Sequence, residues 1–208
     1  MAQQMKPLAD AGFRAVAIDL PGYGRSDKPG VRYDVMWLCA CLAGVIEALG
    51  AERAVVVGHD WGGLLAWPLA RLHPEKVAGV IGINTPDTPL PPVPPTELLR
   101  RQGSRKHSYI LEFQNATMTP PLEYYRNLDR NWELMAGTDS IRIEVACLMI
   151  SAANDPVLHP GLTKGMEERV PNLTKVVIDD CGHWTQQEQP EATTEHMLAY
   201  LKGLDPWT

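Results

Sequence analysis

The chain has 208 residues, 45% of them hydrophobic and 21% charged, and carries a net charge of −6 at pH 7. That length suits one domain with a small insertion and allows a sizeable core, while the acidic balance excludes nucleic acid as an expected partner. No run of 18 apolar residues, leader pattern or lipidation motif occurs, so no membrane span is expected and the cytoplasm is the expected compartment. Cys39, Cys41, Cys147 and Cys181 show no metal-ligand spacing and read as free thiols; no metal and no cofactor is expected.

In chain order, residues 1–11 read as a helix with Met5, Leu8 and Ala11 on one face and Gly12 ending it. Residues 13–18 read as a buried strand that runs into Asp19-Leu20-Pro21-Gly22-Tyr23-Gly24-Arg25-Ser26, a loop punctuated by Pro and Gly. Asp34 is placed to cap a helix carrying Leu38, Leu42, Val45, Ile46 and Leu49, which stops at Gly50. Residues 54–57 form the next strand and enter Gly58-His59-Asp60-Trp61-Gly62-Gly63, after which the chain turns helical. Pro68 is the oddity there, since an interior proline costs about 3 kcal/mol and kinks a helix.

Residues 77–83 are a third apolar strand, and the proline-dense stretch 85–95 interrupts the pattern. Residues 96–132 read as short helices with no buried strand. A strand at 143–151, a helix at 160–170, a strand at 173–178 and a helix at 191–204 complete the chain. Strands apolar throughout, alternating with helices, imply an α/β fold with a mostly parallel sheet covered on both faces. The expected organisation is a core in two parts, 1–95 and 136–208, with 96–135 inserted as a short helical cap.

The chemistry concentrates at Gly58-His59-Asp60-Trp61-Gly62. A tight strand-to-helix turn needs small residues two before and two after its crest, and the residue at the crest is Asp60. A carboxylate there is ionised at neutral pH and attacks without a base. The same residues also fit a Gly-rich turn with an N-capping Asp. Asp155 and His183 each follow a further strand, and turns after parallel strands gather on one edge of the sheet. Singly, each is most simply a turn residue; together, in the order Asp60, Asp155, His183, they repeat the nucleophile–acid–histidine order of α/β-hydrolases.

On these residues the chain resembles the α/β-hydrolase-fold epoxide hydrolases of the soluble and bacterial type. Further matching stretches are residues 19–26, Pro91-Pro92-Val93-Pro94-Pro95, Tyr109-Ile110-Leu111-Glu112-Phe113-Gln114, residues 124–132 and Asp180-Cys181-Gly182-His183-Trp184-Thr185-Gln186. The resemblance implies that Tyr109 and Tyr125 hold the epoxide oxygen, Asp60 forms a hydroxyalkyl ester, and His183, oriented by Asp155, activates the water that hydrolyses it. Phenols near pKa 10 suit a leaving alkoxide; packing a small cap is the other reading of both tyrosines. The N–H of Trp61 would be one oxyanion donor. The implied partners are a small-molecule epoxide and water.

The family also carries strands and a His-Gly-x-Pro turn ahead of the strand expected at 13–18, whereas no histidine of this sequence is followed by Gly. The expectation is therefore an α/β-hydrolase sheet lacking its first strands, with a short cap, a weakened ester-hydrolysis step and an open sheet edge able to form homo-oligomers. Two alternatives stay open: a haloalkane dehalogenase-like hydrolase, and a catalytically inactive protein acting through protein interactions.

Overall fold

The structure, a computed structural model, describes residues 1–101, 119–138 and 140–204. Its apolar runs pair as parallel strands β1 (Ala54–His59), β2 (Val77–Ile83), β3 (Cys147–Ala152) and β4 (Leu173–Ile178), in the order β1-β2-β3-β4. His59 lies opposite Ile83, Ile83 opposite Ile150, and Ala152 opposite Ile178. The strands thus end nearly level, and their exit loops share one edge.

The helices are α1 (Ala2–Asp10), α2 (Val35–Ala48), α3 (Trp61–Leu72), α4 (Pro95–Arg101), α5 (Thr119–Arg126), α6 (Leu128–Met135), α7 (Thr185–Glu188) and α8 (Pro190–Gly203). Because side chains alternate along a strand, each face of the sheet needs its own cover. Val80 and Met149 face Leu38 and Cys39 of α2 and Leu65, Trp67 and Leu69 of α3. Ile81, Ile83, Leu148 and Ile150 face Leu8 of α1 and Met197 and Leu201 of α8. Each such fully buried side chain contributes about 1.5–3 kcal/mol of transfer free energy. The Asp34 carboxylate caps α2 by accepting the Trp37 N–H at 3.1 Å, as expected.

Three expectations fail. Residues 13–18 form no strand: Phe13 and Ala15 pack on the α1–α8 side, while Val16 and Ile18 are 48% and 45% exposed. An apolar run becomes a strand only where a neighbour offers a hydrogen-bonding ladder, and among the described residues none lies beside this one. The outer edge of β1 is likewise unpaired among the described residues. The expected helix at 160–170 is instead two 3₁₀ turns, Pro160–Thr163 and Met166–Glu168, split by Gly165 at φ +76°. The strand expected from residue 143 begins at Cys147; before it, the Ile143 N–H bonds the Arg169 carbonyl. Pro68 does lie inside α3, and Leu64, whose carbonyl loses its helical donor, is exposed to water.

Polar anchors fasten α6 to the start of α2 and to the residues ahead of α4. The Asn131 side chain accepts the Val35 N–H, Arg130 pairs with Asp34 at 3.0 Å, and the Trp132 indole donates to the Pro91 carbonyl. Behind the β2 exit loop, Arg71 grips buried Asp87 with two bonds of 2.6 Å, and Arg169 adds a third at 2.8 Å. Arg71 and Asp87 compensate each other's charge, which makes their burial tolerable, while Arg169 keeps partial contact with solvent.

Candidate active site

Gly58, at the end of β1, has no room for a side chain: a Cβ there would lie 2.2 Å from the Gly62 carbonyl oxygen. That close approach lets the chain turn directly from β1 into α3. Asp60, at the crest, has φ 52°, a left-handed conformation costly for any residue but glycine. The Thr85 hydroxyl, leaving β2, donates to the Asp60 carbonyl at 3.0 Å and locks the turn. The Asp60 side chain is 45% exposed, so a reactant can reach it.

His183 leaves β4 with Nε2 3.3 Å from Asp60 Oδ2 and Nδ1 2.8 Å from Asp155 Oδ2. Asp155, leaving β3, has a fully buried side chain, and its Oδ1 accepts the Val157 and Leu158 N–H groups at 2.8 and 2.9 Å. Burial pushes the Asp155 carboxyl up, but the bonds from Leu158, His183 and Val157 outweigh it and hold the group below the usual carboxylate value. The three sequence-predicted residues therefore meet at the C-terminal edge of the sheet, in line.

Several residues at this edge were given no role by the sequence. His59 Nε2 lies 2.7 Å from the His183 carbonyl, and its Nδ1 lies 3.3 Å from the Gln186 amide nitrogen. A donating Nε2–H and an accepting Nδ1 fix it as a neutral tautomer, and burial lowers its pKa in the same sense. Asn84, at the end of β2, is buried with φ 59° and bonds both Asp155 and the His183 carbonyl. Glu188 of α7 accepts the Gly182 and Trp184 N–H groups and holds the loop that bears His183. The only signal for Asn84 and Glu188 in the sequence was position, beside strand ends and turns.

The aromatic residues divide by exposure. Tyr124 is fully buried, donates to the Pro21 carbonyl at 2.7 Å and touches Tyr23, Tyr33 and Trp61, so it packs. Tyr125 is 49% exposed, with its ring edge-on to Trp61 at 4.9 Å, beside the nucleophile turn. Tyr23 is pushed up to about 12, by burial first and then by Tyr125 and Asp60 nearby. Tyr109 lies outside the described residues.

A sequence profile of the alpha/beta hydrolase fold matches residues 2–115. Epoxide hydrolase A of Mycobacterium tuberculosis is 31% identical, over 97% of this chain and 86% of its own length. The chain belongs to the α/β-hydrolase-fold epoxide hydrolases. Bifunctional epoxide hydrolase 2 of Sus scrofa is 30% identical over 96% of this chain, which spans only 48% of that relative. The crystal structure of epoxide hydrolase A from Mycobacterium thermoresistibile superposes with a TM-score of 0.84 at 28% identity, covering 98% of this chain and 87% of that one.

The alignment to the M. tuberculosis epoxide hydrolase runs over 276 residues yet takes in 97% of a 208-residue chain. That epoxide hydrolase thus has residues inside the aligned span with no counterpart here. Among the described residues no helix is long and apolar enough to cross a membrane, and no group of His, Cys, Asp and Glu could hold a metal ion.

Proposed function

We propose that this chain opens a small epoxide to a vicinal diol through a covalent ester on Asp60. The observation that carries the reading is the line Asp60–His183–Asp155, with contacts of 3.3 and 2.8 Å at the ends of three parallel strands. Asp60 Oδ2 attacks an epoxide carbon, the C–O bond breaks, and the ring oxygen leaves as an alkoxide. Tyr125, together with Tyr109, donates a hydrogen bond and then a proton to that oxygen.

In the second half, His183 Nε2 takes a proton from water while the water oxygen attacks the ester carbonyl. Asp155 holds Nδ1–H and stabilises the imidazolium that forms. Trp61 is the first residue of α3, so its N–H has no helical acceptor and is free for the developing oxyanion. Collapse breaks the bond to the diol oxygen, which recovers its proton from His183. The water's second proton, now on the Asp60 carboxyl, passes through solvent to the tyrosinate left by ring opening, so that Asp60 returns to a carboxylate and the phenol is restored. One water is added overall.

In this reading residues 96–135 form the cap above Asp60, and residues 1–95 and 136–208 form the core below. Dehalogenation would require donors for a departing halide, whereas the phenol of Tyr125 beside the nucleophile turn suits an alkoxide. The free, largely buried cysteines suit a reducing compartment such as the cytoplasm. The test is His183→Gln given styrene oxide. Intact-mass spectrometry then finds one substrate adduct per chain, because the ester forms and is not cleared. Diol release at the parental rate from that variant would contradict the assignment.

A further inference from the structure

Each of the four strands delivers one polar residue to the shared edge: Asp60 after β1, Asn84 after β2, Asp155 after β3 and His183 after β4. Asn84 is the one among them without a part in the chemistry above. It is 1% exposed and sits at φ 59°, a left-handed conformation that Asn tolerates better than most residues. Its N–H bonds the Ile150 carbonyl at 2.8 Å, which ties its backbone to β3.

The side chain is saturated. One Nδ2–H goes to Asp155 Oδ2 at 2.9 Å, the same oxygen that faces His183 Nδ1. The other goes to the His183 carbonyl at 2.9 Å, with the Gly182 carbonyl further off at 3.4 Å. The amide oxygen accepts the Thr185 hydroxyl at 2.8 Å. Two acceptors on one side and a hydroxyl on the other fix the amide orientation.

We infer that Asn84 is a positioning residue that clamps the acid and the histidine of the ester-hydrolysis step to each other through one amide group. The inference rests on the function proposed above and deepens it. The Asn84 amide neutralises part of the Asp155 charge and fixes the backbone from which the imidazole hangs. It therefore sets both the distance from His183 to the acid and the proton affinity of His183. Removing the donor leaves the Asp155 carboxylate less compensated, so it attracts the imidazolium more strongly.

The titratable groups facing His183 are Asp60 from the β1 turn, His59 of β1, Asp155 from the β3 turn and Glu188 of α7, which holds the His183 loop. Of these groups Asn84 bonds only Asp155. The shift is thus transmitted through Asp155.

Two variants test this. Asn84→Gly removes the amide and accepts the positive φ. Asn84→Asp keeps the shape and the acceptor for Thr185 but sets a second carboxyl against Asp155. The full chain is given styrene oxide, and ester formation and ester hydrolysis are timed separately by quench and mass spectrometry. A hydrogen bond to a charged group supports a loss of roughly 10- to 100-fold in ester hydrolysis, with ester formation within about threefold of the parent.

In parallel, the His183 imidazole is titrated by NMR without substrate. Its midpoint moves to higher pH in Asn84→Gly, where nothing replaces the donor to Asp155. A purely structural Asn84 would lower the melting temperature and leave that midpoint in place. An unchanged midpoint in Asn84→Gly, or equal losses in both chemical steps, overturns the inference while the proposed function stands. A parent chain that forms no ester removes the proposed function, and the titration still decides the role of Asn84.

Discussion

Asp155→Asn is the most informative single change, because the surroundings of Asp155 dictate what the new amide must do. Oδ1 faces two backbone N–H groups, from Val157 and Leu158, so the amide oxygen must take that side. The amide NH₂ then replaces Oδ2, opposite the Asn84 amide at 2.9 Å and His183 Nδ1 at 2.8 Å. Donor would meet donor at Nδ1 unless the imidazole adopts its other tautomer, with Nδ1 accepting. Nε2 would then carry the proton, pointing toward Asp60, and could no longer take one from water. In serine-protease triads the equivalent change costs about 10⁴ in rate, or about 5.5 kcal/mol of barrier. We expect a similar loss in hydrolysis of the Asp60 ester and a much smaller loss in its formation, so the variant accumulates adduct. The assay is a single turnover sampled by rapid quench, with adduct and diol quantified separately. Ester hydrolysis within tenfold of the parent would refute the tautomer argument.

Tyr125→Phe is expected to slow ester formation by up to about 10²–10³-fold, the usual cost of one donor at a charge-developing oxygen, and to leave ester hydrolysis alone. Equal single-turnover rates would return Tyr125 to packing. Gly58→Ala forces a Cβ to 2.2 Å from the Gly62 carbonyl oxygen, so it should cost at least about 1–3 kcal/mol and lower the melting temperature by several degrees. An unshifted thermal transition would contradict the packing of the turn. The folded Asp155 carboxyl lies below its unfolded value, so its stabilisation is complete above the ordinary carboxylate range and is lost as pH falls through the folded value. Acid unfolding of the parent should therefore steepen below about pH 4 relative to Asp155→Asn, as followed by circular dichroism.

Much of the site was legible because its signals are local. A β-branched run ending in Gly-x-Asp-x-Gly can be little other than a sharp turn, and Asp155 and His183 each follow an apolar run that proves to be a strand. Strands β2 and β4 have their expected bounds, since residues 77–83 are an apolar run, residues 173–178 end in three β-branched apolar residues, and turn residues close both. Residues 13–18 carry the same signal and fail, because a composition cannot state whether a neighbouring ladder is present. The 160–170 segment, expected as a helix, is broken where Gly165 takes φ +76°, and that glycine was the better guide. Asn84 was illegible: nothing in Ile83-Asn84-Thr85-Pro86 separates a clamp between two other strand ends from an ordinary turn. Its role exists only in the contacts with Asp155, His183 and Thr185, residues distant in sequence.

The central claim is the covalent ester on Asp60, and a single turnover in ¹⁸O-labelled water tests it most directly. With enzyme in excess over styrene oxide, water attacks the ester carbonyl, so the label should enter the carboxylate of Asp60. The first diol should be unlabelled, and peptide mass spectrometry should find the added ¹⁸O in the fragment holding Gly58-His59-Asp60-Trp61. Label appearing directly in the first diol, with none in that peptide, would mean that water attacks the epoxide itself and would contradict the account.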